Sequence, residues 1–370
     1  MSLTKIIKIN PANPEEKYIV QAAKVISGGG LAVIPTETVY GIAANSLDKK
    51  ALERLYEIKK RAADKPFSLL IAEKSKADEL AGDIPVAAYK LMHKFWPGPL
   101  TIILKGAGEA KVGLRMPDHP VALKIIEQAH VVIACPSANV AGEPAPDNFA
   151  QAIQNMDGLV DLAVDAGPAK LGQESTVVDL SVQPLKIIRS GAIKDEEINA
   201  AARSKSVLFV CMGNSCRSVM AEAYLKKLLE KQNRKDVEVS SAGIMMLSGL
   251  GASEGTREVL KKEGIDVGEH HSQKATKELV ERSDIILVME RSHEDKILQL
   301  EPRAKNRLFL LKEFANPVRN TQFNLANISN GTKISDNELD IPDPLGASLE
   351  FYEKTFATIK DAVERIMKIL

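Results

Sequence analysis

The stretch SVLFVCMGNSCRSVMAEAYLKKLL, Ser206–Leu229, decides how the second half of the chain folds. SVLFV is an unbroken apolar run and reads as a buried strand. From Val219 onward the apolar residues recur at helical spacing. Five residues separate Cys211 from Arg217. A loop that short, between a strand and a helix, must curl so that its backbone N–H groups point into one cup at the helix N-terminus, where an anion is favoured. Gly213 tolerates unusual backbone angles and Asn214 a left-handed one. Arg217 offers a planar fork to two phosphate oxygens. The same positive field favours the thiolate of Cys211, a nucleophile beside a bound phosphoryl group. Met212, Gly213, Asn214, Ser215, Cys216 and Ser218 then form the phosphate-binding loop.

A thiolate attacking a phosphoester needs an acid for the leaving group. Asp343, between Pro342 and Pro344 in DIPDPLG, is the candidate, and Asp340 is the weaker one. Beyond the loop, VEVSSAG, DIILVM and LFLL read as strands. GTREVLKKEG and the closing LEFYEKTFATIKDAVERIMKIL read as helices. This alternation predicts an α/β domain with a doubly wound parallel sheet. TQFNLANISNGTKISDNELD, rich in Asn and Ser, reads as an exposed loop.

Going N-terminally, KDEEINAAARSKS breaks the run of strand signals, so residues 194–205 read as a linker between two domains, 7–193 and 206–370. Two domains suit a chain of 370 residues. Lys and Arg total 49 and Asp and Glu also 49, which gives no support to a broad basic surface for nucleic acid. No apolar run is long enough for a membrane span, and MSLTKIIKINP lacks the apolar centre of a signal peptide. The three cysteines, Cys135, Cys211 and Cys216, make no disulfide framework and suit a reducing cytoplasm.

The first domain also alternates helices and strands, which predicts a twisted α/β sheet. Its Gly28–Gly29–Gly30 precedes a strand rather than a helix, and no GxxxxGK[ST] occurs, so the glycines read as a helix C-cap and not a phosphate loop. Thr36, Thr38 and Tyr40 lie at a strand end in PTETVYG. Lys59 and Arg61 close a helical segment, ALERLYEIKKR, and Lys65 follows it. Arg115 lies in GLRMPDHP with Lys111 just upstream, Ser137 and Asn139 lie in CPSAN, Ser175 and Thr176 in ESTVVD, and Arg189 in KIIRSG. Singly, such residues are solvated helix ends or turn formers. Together they predict a cleft of cations and hydroxyls for a polyphosphate and a small polar acid, with few carboxylates.

Two resemblances sharpen this reading. VCMGNSCRSVMAE, VSSAG, EGIDVGEHHSQKAT, DIILVMERSH and DIPDPLG resemble, in order, the low-molecular-weight protein phosphatases over residues 206–370. The resemblance implies Cys211 as nucleophile, Arg217 as phosphate clamp, Asp343 as general acid, and Asn214, Ser218, Ser241 and His270 as loop supports, with no cofactor. Taken alone, His270 and His271 would be ordinary surface or core histidines. The family also implies a transient Cys211–Cys216 disulfide under oxidation. Arsenate reductases share the fold, but no cysteine follows Cys216 to serve a redox relay. Val219 replaces a usual Pro, Ser215 a bulky aliphatic residue and Leu345 a Tyr of the phosphotyrosine enzymes. Ser215 and Leu345 are closer to the bacterial protein-arginine phosphatases, which favours phosphoarginine over phosphotyrosine.

PTETVYG, the Lys-x-Arg segment, WPGPLT, LRMPDHP, PSAN and STVVD resemble the YrdC-like threonylcarbamoyl-AMP synthases over residues 7–193. That resemblance implies a nucleotidyl transfer in which threonine, bicarbonate and ATP, carried with Mg2+, give threonylcarbamoyl-AMP and pyrophosphate. It implies threonine contacts at Thr38, Arg115, Cys135 and Ser175, and ATP contacts at Lys59, Arg61, Lys65, Lys111, Ser137, Asn139 and Arg189. No metal-binding residues are expected. The product would feed tRNA-modifying transferase machinery, with weak contact to double-stranded RNA. Ala62, Leu70 and Ala145 depart from the family pattern without removing a charge. The rival reading is a non-catalytic RNA-binding module joined to a protein-tyrosine phosphatase, which the balanced charge disfavours.

Overall fold

The computed structural model describes residues 3–62, 65–106, 110–245, 249–315 and 339–370. The chain divides into two compact units, Met1–Ala202 and Arg203–Leu370. Most of the Asn/Ser-rich segment expected as a loop, up to residue 338, lies outside the described residues.

The first unit is built on an eleven-stranded sheet among the described residues. Its strands are β1 (Lys5–Lys8), β2 (Ala32–Ile34), β3 (Gly41–Asn45), β4 (Leu69–Leu70), β5 (Ala81–Asp83), β6 (Leu100–Gly106), β7 (Lys111–Arg115), β8 (Ile133–Ala134), β9 (Leu162–Asp165), β10 (Thr176–Asp179) and β11 (Lys186–Arg189). The order is β1-β9-β2-β3-β8-β4-β7-β6-β10-β11, with β5 beside β6. Pairing is mixed: β1–β9 and β6–β10 are parallel, whereas β2–β3 and β6–β7 are antiparallel. Side chains alternate between faces. Ala32 and Ile34 pack with Ile19 and Ile125, while Leu31 and Val33 pack with Leu55 and Ala152. Helices thus cover both faces of this part of the sheet.

The helix Glu16–Ser27 ends as the glycines predict. Gly29 is left-handed at φ 84°, and Gly30 N–H donates to Val25 O at 2.8 Å. Residues 194–205, expected as a linker, instead contain the helix Asp195–Arg203. Its Ile198 and Ala201 are buried in the cluster that holds Trp96 and Leu100, so it is a packed part of the first unit.

The second unit has β12 (Lys205–Cys211), β13 (Val237–Gly243), β14 (Ile285–Val288) and β15 (Leu308–Leu310), all parallel in the order β13-β12-β14-β15. Val207 and Phe209 face the helices Arg217–Lys231 and Leu349–Met367, and Leu208 and Val210 face Leu279 and Ile297. The strand order reverses between β12 and β14, so the ends of these two strands form the crevice where such sheets bind ligands. Cys211 ends β12, and Glu290 lies two residues beyond β14. No helix among the described residues is long and apolar enough to cross a membrane.

Candidate functional sites

In the second unit, the loop from Met212 to Cys216 joins β12 to the helix starting at Arg217. Asn214 holds it together. It is fully buried, with a left-handed φ of 53°. Its Nδ2 donates to Ser218 Oγ at 3.0 Å and Ser241 Oγ at 2.7 Å, its Oδ1 accepts from Gln273 N–H at 2.9 Å, and its carbonyl is 2.8 Å from His270 Nε2. The family-implied supports Ser218, Ser241 and His270 therefore converge on one residue, the two serines on its side chain and His270 on its carbonyl. Ser218 Oγ also lies 3.0 Å from Cys211 Sγ, a placement that can stabilise a thiolate by hydrogen bonding. Gly243 backs the loop so closely that a Cβ there would lie 2.9 Å from both Met212 O and Gly213 C.

Cys216 points into a buried set of hydroxyls, 3.2 Å from Ser253 Oγ and 3.7 Å from Tyr352 OH. Ser253 N–H donates to Ser215 O at 3.0 Å. Arg217 is 1% exposed and bridges two carboxylates. It donates to Asp343 Oδ2 at 2.6 Å, to Ile341 O at 2.7 Å and to Glu290. Burial works to raise the Glu290 carboxyl, but the Arg217 hydrogen bond and charge outweigh it and hold Glu290 low. Asp343 is thus brought onto Arg217. Asp340, the weaker acid candidate, instead accepts the Arg291 N–H at 3.0 Å, where a helix begins. Behind the ion pairs His293 is fully buried, with neither ring nitrogen partnered among the described residues. Burial and then the Arg217 charge push it down to about 4. Glu290, Ser253, Gln273 and Tyr352 were not anticipated from sequence. Glu290 could have been found from its place just beyond the central strand β14.

In the first unit, a cleft of about 930 Å³ gathers most of the sequence candidates. Arg61, Lys65, Lys111, Arg115 and Arg189 line it with Cys135, Ser137 and Ser175. Thr38 and Asn139 stand behind this lining as supports. Arg115 Nη2 donates to Thr38 Oγ1 and to Glu37 Oε1, both at 2.8 Å. Ser175 Oγ lies 2.9 Å from Thr101 Oγ1 and accepts from Arg189 Nη2 at 3.0 Å. Lys111 pairs with Asp179 at 2.8 Å, and Arg61 donates to Lys65 O at 3.1 Å with its guanidinium 5.2 Å over the Phe67 ring. Burial pushes the Cys135 thiol up to about 12.

Lys59, expected among the ATP contacts, is held by protein oxygens. It lines the cleft but is 4% exposed, and its ammonium donates to Ser137 O at 2.7 Å, Asn139 O at 2.6 Å and Asn139 Oδ1 at 2.8 Å. Burial pushes it down to about 8, and the Arg61 charge adds to this. Two carboxylates that the sequence reading did not include stand at this site. Glu37 is buried against Arg115, and Glu174 lines the cleft and accepts from Arg189 Nη1 at 2.6 Å. Their signal was position alone: Glu37 lies between Thr36 and Thr38, and Glu174 directly precedes Ser175.

The first unit matches the Sua5/YciO/YrdC family model, described as "Telomere recombination", over residues 24–191. The second matches the low molecular weight phosphotyrosine protein phosphatase model over residues 206–370. The chain is 40% identical over 205 residues to threonylcarbamoyl-AMP synthase of Pyrococcus abyssi, covering 53% of this chain and 60% of that one. It therefore spans less than two thirds of that relative's length. The crystal structure of P. abyssi Sua5 complexed with L-threonine is 31% identical, with a TM-score of 0.52, covering 66% of this chain and 85% of that one. Residues of the second unit are 34% identical to protein-arginine-phosphatase of Geobacillus stearothermophilus over 164 residues, covering 44% of this chain and 95% of that protein. The chain belongs to the Sua5/YciO/YrdC family through its first unit and to the low molecular weight phosphotyrosine protein phosphatase family through its second.

Proposed function

We propose that the chain is a bifunctional enzyme: a threonylcarbamoyl-AMP synthase in its first unit and a cysteine-dependent protein phosphatase in its second. The observation that carries the first half is the cleft itself, where six lysine and arginine residues and the hydroxyl-bearing Ser137 and Ser175 converge on one concavity. Threonine, bicarbonate and ATP are its substrates. The threonine nitrogen and bicarbonate condense to a carbamate with loss of water; a carbamate oxygen then attacks the α-phosphorus of ATP, and the bond to pyrophosphate breaks. Arg61, Lys65 and Lys111 offset the triphosphate charge, and Arg115 with Ser175 holds the amino acid. Lys59 acts through the loop it holds, setting Ser137 against the nucleotide with Asn139 as a support behind it. Among the described residues no group of three His, Cys, Asp or Glu could cage a metal. Mg2+ thus fits this site as an ion carried on the ATP phosphates rather than in a protein cage. The inward pairing of Arg115, Arg189 and Lys111 also favours a small-ligand site over an open RNA-binding face.

The observation that carries the second half is the buried Arg217, which spans the loop after Cys211 and the Asp343 carboxylate. Cys211 Sγ attacks phosphorus to form an S–P bond. The bond to the leaving group breaks as Asp343 supplies its proton, and water then releases phosphate from the cysteine. Arg217 exchanges its Asp343 contact for phosphate oxygens during this cycle. Ser215 in the loop and an exposed Leu345 beside Asp343 favour phosphoarginine over phosphotyrosine.

Pyrophosphate release that requires threonine, bicarbonate and ATP together tests the synthase. Release without threonine, or none at all, sinks that half. Cys211→Ser should abolish turnover of phosphoarginine protein while leaving pyrophosphate release intact. Surviving phosphatase turnover sinks the other half.

A further inference from the structure

Glu174 is the only carboxylate among the described residues that line the first-unit cleft, where Arg61, Lys65, Lys111, Arg115 and Arg189 supply positive charge. Its position is fixed. Gly191 lies so near that a Cβ there would meet Glu174 O at 2.4 Å and Ser175 C at 2.6 Å, and Ala192 N–H donates to Glu174 O at 3.0 Å. The next residue, Ser175, opens onto β10 and is tied through its Oγ to Thr101 and Arg189. Glu174 Oε1 accepts from Arg189 Nη1, and among the described residues nothing donates to Oε2. The side chain is half-buried at the cleft wall.

A carboxylate that only neutralised Arg189 would not need to face the cleft, and in a cleft for ATP it works against the triphosphate. An amino acid changes that balance, because its head group carries both charges. Its nitrogen and carboxyl carbon are only about 2.5 Å apart, so its receptor needs an anion and a cation side by side. Glu174 with Arg189, bonded at 2.6 Å and flanked by Ser175 Oγ, is such a pair. We propose that Glu174 receives the α-ammonium group of the amino-acid substrate, making it a binding residue that selects amino acids over other hydroxy acids. This rests on the synthase reading above. Mg2+ is the other cation that a carboxylate in an ATP cleft could hold. A guanidinium at hydrogen-bonding distance from the same carboxylate disfavours a divalent ion there.

The test compares threonine with 3-hydroxybutanoate, which keeps the carboxylate and hydroxyl and lacks the amine. Binding of each to the full chain is measured by calorimetry for wild type and Glu174→Gln. Wild type should prefer threonine by at least tenfold, and Glu174→Gln should lose most of that preference while ATP binding changes less than threefold. Equal weakening of both ligands in the variant overturns the proposal and leaves Glu174 as a support for Arg189. A shift confined to ATP affinity and its Mg2+ dependence overturns it in favour of a metal ligand. Failure of wild type to bind threonine while it binds ATP refutes the synthase reading, and the assignment of Glu174 goes with it. Glu174→Asp serves as the conservative control: it keeps the charge and should retain part of the threonine preference.

Discussion

Replacing Lys59 by Met separates two roles that a buried lysine in a nucleotide cleft can have. The Lys59 ammonium bonds three oxygens at 2.8 Å or less, Ser137 O, Asn139 O and Asn139 Oδ1, and a fourth, Ser137 Oγ, at 3.4 Å; Ser137 Oγ itself donates to Asn139 Oδ1 at 2.6 Å. Hydrogen bonds to a charged donor contribute about 1.5–3 kcal/mol each, net of lost hydration. The three short ones share one ammonium and are not additive, so their joint loss is about 3 kcal/mol or more and falls on the loop Ser137–Asn139. For a unit of this size that lowers the first melting transition by about 6–12 °C. A 1 Å shift of a positioned group can cost about 100-fold in rate, so pyrophosphate release should drop with it.

The same variant carries a pH signature. Folded Lys59 gives up its proton near pH 8, while the unfolded chain keeps it until 10.5. Between those values the unfolded chain binds more protons, so wild-type stability should rise with pH across that window by up to about 3 kcal/mol from this residue. Lys59→Met should lack that rise. Urea unfolding of both proteins at pH 7.5 and 10 reads the difference. An unchanged melting transition, with a rise in the ATP KM alone, would refute the bracing role and make Lys59 a direct nucleotide contact.

Three further outcomes follow from the second unit. Gly243→Ala should push the phosphate loop out of place, lowering phosphatase kcat/KM by about 100-fold while pyrophosphate release is unchanged; full phosphatase activity would mean the loop yields freely. His293→Leu should remove an acid-side instability. Folded His293 protonates near 4 and the unfolded residue near 6.5, so wild type loses about 3 kcal/mol as pH falls through that window, and the variant should not. Parallel pH–stability curves for the two proteins would contradict this. Ser215→Ile should shift preference from phosphoarginine toward phosphotyrosine by at least tenfold in the ratio of kcat/KM values, and an unmoved ratio would show that Ser215 does not set selectivity.

These predictions differ in how far the sequence alone could have led to them. The loop after β12 was legible because its chemistry is local: strand, five residues, arginine and helix are contiguous. The partners of Arg217 were not, since Glu290 lies 73 residues away and Asp343 126, and only the fold brings them together. Asp343 could be named as a candidate because a leaving group demands an acid. Glu290 answers no such demand, and its place at the switch point shows only once the strand order is known. The helix Asp195–Arg203 was hidden for another reason: its buried face holds little beyond Ile198 and Ala201, so charge dominates its composition. The mixed pairing of the first sheet could not be read from strands such as β4 and β8, which have two residues each and show no period.

Lys59 is the instructive case, because its signal was present. The helix Lys49–Lys59 buries Ala51, Leu55 and Lys59, a stripe spaced by four residues whose last member is a lysine. A lysine at a helix end is ordinarily solvated, so among other cations Lys59 reads as an ATP contact and the stripe goes unused. The stripe points Lys59 toward the core, and a buried ammonium must find acceptors. In CPSAN, the nearby backbone carbonyls after β8 are those acceptors. A cation that continues an apolar stripe is better read as a brace for the segment it points at than as a ligand contact, and Lys59→Met tests that rule on this chain.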